Sequence, residues 1–467
     1  MGNGFDLSHY LPTKYDHFMD VMAAIEKKDL GKPVQNVLNN PVNTLPDLMS
    51  KLLEIKLATD EKTYKMNFNS LFLECRDKKF IDKTKEIYDI SSVELSIEKI
   101  VKFQCELKNN CWYQYFKDHV KEIETWIDFE QKIEEVVIIV AQFISDIDQL
   151  NSTSNISDYL KYESKEKLKI KEKNFSILNF FEMWADEEYV VIATVDTGVK
   201  SKRSNLNPQF CHGKNLANGF NPSGFLDFLY QHLDDFIKIF DQYLELIVSK
   251  LNSNYQLEIE AEDWLIPNKI YSFNYTNTYQ RLHDSVDVEY LHGSNGEYQN
   301  IVLGISELEN ETLKKIKAYG FTKYQQKLFK DTDYLFLDNY KKKIFDNKKR
   351  IEVHKEEYKG RAAQGDYDLQ RLEANSLLNL KFYIWGHSLD VSDKDYIIDL
   401  FSLNDEIDRN VRVTVYYFDK SAKFALLNNL LAILGKDKVE QWMKNKWLVF
   451  KKNPEVKFIE AENQQIA

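Results

Sequence analysis

Three short apolar runs, each closed by a small polar turn, leave this chain few folds to choose from. Ile270-Tyr271-Ser272-Phe273 leads into Asn274-Tyr275-Thr276, Val288-Glu289-Tyr290-Leu291 into His292-Gly293-Ser294, and Phe382-Tyr383-Ile384-Trp385 into Gly386-His387-Ser388. Such runs are too short for helices, and their aromatic and β-branched content reads as buried strands. Val411 to Phe418 and Ile301-Val302-Leu303 read the same way, and Leu426 to Leu434 reads as a helix. Short apolar strands alternating with helices predict an α/β fold built on a parallel sheet.

The rest of the chain has helical periodicity. A helix is expected from Tyr15 to about Lys28. Another is opened by Ile123, Trp126, Ile127, Phe129 and Ile133 and runs to about Leu150. Leu226, Leu229, Leu233, Ile237, Phe240, Leu244 and Ile247 mark a third, after Pro222. Residues 161–173 read as a solvated helical face, and residues 311 to about 379 as charged helix. Tyr189 to Val195 is a strand-like exception. The expected division is a core of residues 1–30 plus 265–467, interrupted by a mainly helical insertion, residues 31–264. With 15 Gly and 8 Pro in 467 residues, linker-rich and collagen-like architectures are excluded.

Charge and cysteine content narrow the function classes. Lys+Arg 62 against Asp+Glu 74 gives a net charge of −12, which argues against a general affinity for nucleic acid or anionic lipid. The basic clusters Lys341-Lys342-Lys343 and Lys348-Lys349-Arg350 lie among Asp346, Glu352, Glu356 and Glu357, the pattern of a mixed-charge exposed helix. Cys75, Cys105, Cys111 and Cys211 lack the spacing of a zinc knuckle and are too few for a disulfide scaffold, so no metal is posited. The run Val136 to Val140 is far short of the ~20 residues that span a bilayer, and Met1-Gly2-Asn3-Gly4 has no secretory character. A soluble, cytoplasmic protein is expected.

Four motifs carry candidate chemistry. In Gly2-Asn3-Gly4-Phe5-Asp6 the glycines let backbone N–H groups approach a phosphate, although a bare loop satisfies the same pattern. Asn274, with Tyr275 and Thr276, sits at the carboxyl end of a strand, where open α/β sheets bind ligands. Its amide can orient a water or a ribose hydroxyl, and turn propensity explains it equally. His292, followed by Gly293, can take a proton near neutral pH, or serve the structure alone. Gly386, His387, Ser388 and Asp390 form a third polar strand end, with helix capping as the plain alternative.

Taken in order, these motifs resemble a known family. GNGFDL at residues 2–7, LPT at 11–13, NYT at 274–276, HG at 292–293 and GHSLD at 386–390 are similar to the AbiH-type phage abortive-infection proteins. Trp126-Ile127-Asp128-Phe129-Glu130 shares that likeness, which spans nearly the whole chain. The family is distantly similar to sirtuin-like domains, which bind NAD on a Rossmann-like parallel sheet. The resemblance therefore implies a bacterial antiviral protein with a sirtuin-like nucleotide pocket and a large helical insertion. It implies NAD as substrate, hydrolysed to nicotinamide and ADP-ribose. Deacetylation is disfavoured because the four-cysteine zinc module of such enzymes is missing.

On that reading Asn274 positions a water and His292 acts as base. Gly2, Asn3, Gly4, Phe5 and Asp6 hold the pyrophosphate, while Tyr275, Thr276, Gly293, Gly386, His387, Ser388 and Asp390 line the remaining pocket. Nicotinamide is already a cationic leaving group, so departure needs no general acid and passes through an oxocarbenium-like state. In such sheets the glycine loop follows a central buried strand, whereas here it follows Met1 directly. The natural start is accordingly expected about 5–8 residues upstream, a strand's usual length. The insertion is a candidate lid, sensor of a phage-derived trigger, or homo-oligomer interface. The rival functions are a nucleotide sensor without catalysis and an effector acting on nucleic acid.

Overall fold

Strand propensity and helical periodicity divide the chain in space much as they do in sequence. The computed structural model describes residues 1–31, 50, 64–120, 126–150, 172–185, 188–192, 199–203, 206–215, 218–261, 264, 266–297, 299–332, 335–357 and 369–460. The contacts divide it into two compact units. One comprises Met1–Leu11, Tyr255–Ser294 and Asp331–Ala467; the other comprises Pro12–Asn254 and Asn295–Lys330. The division expected from sequence fell instead after residues 30 and 264.

The first unit contains, in chain order, α1 (Asn3–Ser8), β1 (Tyr255–Glu260), β2 (Lys269–Ser272), α2 (Thr278–Leu282), β3 (Asp287–Tyr290) and α3 (Asp338–Glu357). It continues with β4 (Leu380–Ile384), α4 (Lys394–Ser402), β5 (Val411–Tyr417), α5 (Lys420–Leu434), α6 (Lys436–Lys444), β6 (Leu448–Lys452) and β7 (Glu455–Glu460). β2 and β3 pair in parallel, with Ile270 opposite Val288. β4, β5 and β6 form a second parallel sheet with β5 in the middle, Phe382 opposite Val413 and Val415 opposite Phe450. β1 and β7 pair antiparallel. The expected single Rossmann-like sheet is therefore not what the strands form. The parallel strands are divided between a two-stranded and a three-stranded sheet, and the architecture is mixed α/β.

Alternation along β5 explains the layering. Val411, Val413 and Val415 point into a core with Phe401 of α4, Leu430 of α5 and Trp442 of α6, all fully or almost fully buried. Tyr416 points the other way and joins Phe5 of α1, Ile270, Tyr279 of α2 and Trp385. Each such burial contributes about 1.5–3 kcal/mol, so both faces of the parallel strands need their cover. α5 begins where the Asp419 carboxylate accepts the Ala422 N–H, and it stops at Gly435, whose φ of +78° suits a residue without Cβ.

The second unit is mainly helical. Tyr15–Lys27, Ile97–Asn109, Cys111–Asp118, Trp126–Leu150 and Pro222–Leu246 gather around Phe18, Phe116, Phe129, Phe236 and Tyr243. The long helix at 222 starts as Pro at its first position dictates, with Asn221 accepting the Gly224 N–H. Glu188–Ile192 is a strand paired with Val199–Arg203. Residues 161–171 of the expected charged face lie outside the described residues. Ile301-Val302-Leu303 is buried but is no strand. Gln326 bonds both the N–H and the C=O of Leu303, and Lys330 Nζ donates to the Ile301 carbonyl, so side chains supply what a neighbouring strand would. Among the described residues no helix is long and apolar enough to cross a membrane.

Candidate functional site

The carboxyl ends of β2, β3 and β4 carry the polar groups, and after β3 and β4 a glycine turns the chain sharply. Gly293 after β3 and Gly386 after β4 have φ of +79° and +73°. Leu389 holds φ of +56°, a costly conformation for a bulky side chain, within the turn that carries His387.

At this end of the strands two buried histidines flank one carboxylate. His292 Nε2 lies 3.0 Å from Asp393 Oδ1, and His387 Nε2 lies 3.3 Å from Asp393 Oδ2. All three side chains are less than a tenth exposed. The Leu389 N–H donates to His387 Nδ1 at 2.9 Å, so a neutral His387 carries its proton on Nε2 and turns it toward Asp393. Asp393 occupies the cap position of α4 yet makes no capping bond, forgoing the roughly 1 kcal/mol such a bond contributes. Phe273 packs against both rings, at 5.1 Å from His292 and 4.0 Å from His387. Tyr396 of α4 donates its hydroxyl to the Leu291 carbonyl, fixing the backbone next to His292.

A second polar group surrounds Asp6 of α1, which is almost completely buried. Thr276 Oγ1 donates to Asp6 Oδ2 at 2.7 Å and lies 3.0 Å from the Thr278 hydroxyl. Burial pushes the Asp6 carboxyl up to about 6, while the Thr276, Thr278 and Asn274 side chains and the Arg281 charge pull the other way. Asn274 belongs to this group, and its backbone is held by Ser272, whose Oγ bonds both the Asn274 N–H and its carbonyl. His9 and His283 meet nearby, Nε2 to Nε2 at 2.6 Å, while His9 Nδ1 bonds the Phe5 carbonyl. Burial lowers His9 to about 3 and His283 to about 4. Among the described residues no cluster of three or more His, Cys, Asp or Glu is arranged to hold a metal ion.

With this geometry in view, a comparison with protein families is decisive. The model of a family described as bacteriophage abortive infection AbiH matches residues 1–230 and 225–417. The chain belongs to the AbiH family. No curated protein and no solved structure matches it. Membership implies a phage abortive-infection defence role.

The motifs of this AbiH chain fall into two groups of contacts. Asn274 falls in the Asp6 group, and His292 in the group of Asp393 and His387. Gly2, Gly4 and Gly386 lie backbone against backbone: a Cβ on Gly2 would stand 2.6 Å from the Gly386 carbonyl oxygen, and one on Gly386 would stand 2.1 Å from the Phe5 nitrogen. The Gly2 N–H donates to Trp385 O, Gly4 N–H to Gly386 O, and Phe5 N–H to Gly2 O. Three amides expected to face a pyrophosphate are thus engaged within the protein. The Phe5 ring is core, edge-on to Trp385 at 5.0 Å. Asp390 accepts the Ser392 N–H, as a capping residue does, and exposed Ser388 receives the Asn429 amide on its carbonyl. Asn3 and Tyr275 are half-buried.

Asp393, Thr278 and the His9–His283 pair were missed by sequence reasoning. A signal existed for one of them. Asp393 closes the run Asp390-Val391-Ser392-Asp393, two acids three apart before a helix, and only one of the two is needed to cap. His9 and His283 lie 274 positions apart and carry no local signal.

Proposed function

We propose that this AbiH-family chain acts in abortive infection by hydrolysing the bond between nicotinamide and ribose in NAD. The observation that carries the reading is the His292–Asp393–His387 cluster at the carboxyl ends of parallel strands, the position where open α/β sheets bind ligands. Asp393 faces the Nε2 side of His292, which leaves Nδ1 as the atom to take a proton from water or a ribose hydroxyl. His387 Nε2 faces the other oxygen of the same carboxylate and orients it. Asn274 contributes from the Asp6 group to ribose binding, with Thr276 behind it. Departure of neutral nicotinamide from the cationic ring leaves positive charge on the ribose, and water completes ADP-ribose.

Incubation of the purified protein with NAD and measurement of free nicotinamide tests this. Wild type is expected to release nicotinamide, and His292→Ala and Asp393→Asn to lose at least about 100-fold of that rate. Full activity in His292→Ala removes it as base. One observation favours a second reading, a nucleotide sensor without catalysis: Asn274 and His292 stand in separate groups. Calorimetric binding of NAD with no nicotinamide released decides for the sensor.

A further inference from the structure

α5 is apolar all round, and a helix of that kind needs cover on both sides. In a chain with 29% charged residues, its fifteen positions hold two charges, Lys420 and Lys423. Lys423 lays its ammonium over the rings of Tyr417 and Phe450, at 5.2 and 5.7 Å, and so serves the sheet side. Leu426 and Leu430 are buried in the core of the first unit. The opposite face, made by Ser421, Phe424, Ala425, Asn428, Leu431 and Ala432, is exposed. Steps of three and four residues keep these six side by side along the helix. Phe424 is 69% exposed at a place where a solvated helix carries charge.

This face matches itself when it is turned end for end about Asn428. Four residues either side, Phe424 comes opposite Ala432; three residues either side, Leu431 comes opposite Ala425. Each large side chain thus meets a small one, twice over. Asn428 meets its own copy, and two facing amides can exchange donor and acceptor. Ser421 falls opposite Gly435, so the ends are narrow enough for helix axes to approach to about 8 Å. A parallel copy would set Phe424 on Phe424 and leave gaps at the alanines. Charge selects the same direction. α5 has its basic residues at its start and none in its last turn, the reverse of what the helix dipole favours. An antiparallel copy lays Lys420 beside the negative carbonyl end of the other α5, and Lys436 and Asp437 beyond Gly435 offset one another.

The area is sufficient for a stable pair. A specific dimer buries at least about 1,000 Å² in total. Phe424, with Phe418 at the start of α5 and 80% exposed, brings about 300 Å² per copy and about 600 Å² for two. Leu431 is exposed as well, as are Val391 and Ile398 on the elements packed beside α5, and these supply the remainder. We propose that the exposed face of α5 is an interface with a second copy of this chain, an antiparallel helix pair whose two-fold axis passes through Asn428. The pairing is isologous, so every contact occurs twice. It seats on an element bonded to the histidine turn, since Asn429 Nδ2 donates to the Ser388 carbonyl.

Sedimentation of the full chain tests this. Wild type is expected to be a dimer at micromolar concentration. Phe424→Glu and, separately, Ala432→Glu are expected to weaken dimerisation at least about 100-fold with unchanged circular dichroism. Cross-linking under oxidant reads the register. The native thiols are buried or half-buried, so they give little background. Asn428→Cys is expected to cross-link to its own copy, and Ser421→Cys is not. A wild type that stays monomeric overturns the proposal, as does a dimer that survives both Glu substitutions. Cross-linking of Ser421→Cys to itself, or of Asn428→Cys no more than wild type, overturns it equally.

Discussion

Gly386 shows how a motif residue can be legible for one reason and required for another. Spacing pointed to a phosphate cradle at Gly2 and Gly4 and to a pocket-lining turn at Gly386, yet what the structure shows at all three is two backbones crossing in contact. Gly386→Ala adds a Cβ 2.1 Å from the Phe5 nitrogen at a φ of +73°, so it is expected to cost on the order of 3 kcal/mol, read as a lowered urea midpoint. Asp6 makes a prediction in pH. Its folded pKa of about 6 exceeds the usual 3.8, so its contribution is full below about pH 3.8 and is lost as pH rises through 6. His9 and His283 act in the opposite sense, contributing above their ordinary 6.5 and losing that as pH falls toward 4 and 3. Asp6→Asn isolates the carboxyl. Relative to wild type it is expected to gain about 3 kcal/mol between pH 3.5 and pH 7.5, measured as the difference in unfolding free energy. A difference that does not vary with pH would mean that Asp6 is not the protonated group.

At the scale of elements, what the sequence made legible depended on how far each element decides its own form. Ile270–Phe273, Val288–Leu291 and Val411–Phe418 are strands within one residue of the expected ends, the strand expected at Phe382–Trp385 starts two residues earlier, at Leu380, and the helices at 15–27, 126–150 and 222–246 match their periodicity. β6 was missed, because Leu448-Val449-Phe450 runs on into Lys451-Lys452 and only pairing with β5 defines it. Ile301–Leu303 failed for the opposite reason: apolar content made it look like a strand, while Gln326 and Lys330 satisfy its backbone. The contrast between neighbours on α5 gives a test of the core. Leu430 is fully buried and Leu431 is 36% exposed. Leu430→Ala is expected to cost about 2–5 kcal/mol and Leu431→Ala less than about 1, by chemical denaturation.

For the molecule as a whole, the decisive quantity is charge. A chain at −12 can bind nucleic acid only through a local basic surface, and α3 is where the sequence offers one. Two of its lysines are already committed: Lys341 pairs with Asp399 and Lys348 with Glu406, the latter at 2.6 Å. Both pairs are at least a third exposed and contribute little to stability, but they place carboxylates where a phosphate would have to sit. The full chain is therefore expected to show no saturable binding to DNA or RNA by fluorescence anisotropy at about 150 mM salt. Lowering the salt is expected to bring only weak, sequence-independent association. Were tight binding found, Lys348→Glu and Lys341→Glu would have to weaken it and flatten its salt dependence. That result would move the defence role from a nucleotide at the strand ends to nucleic acid along α3.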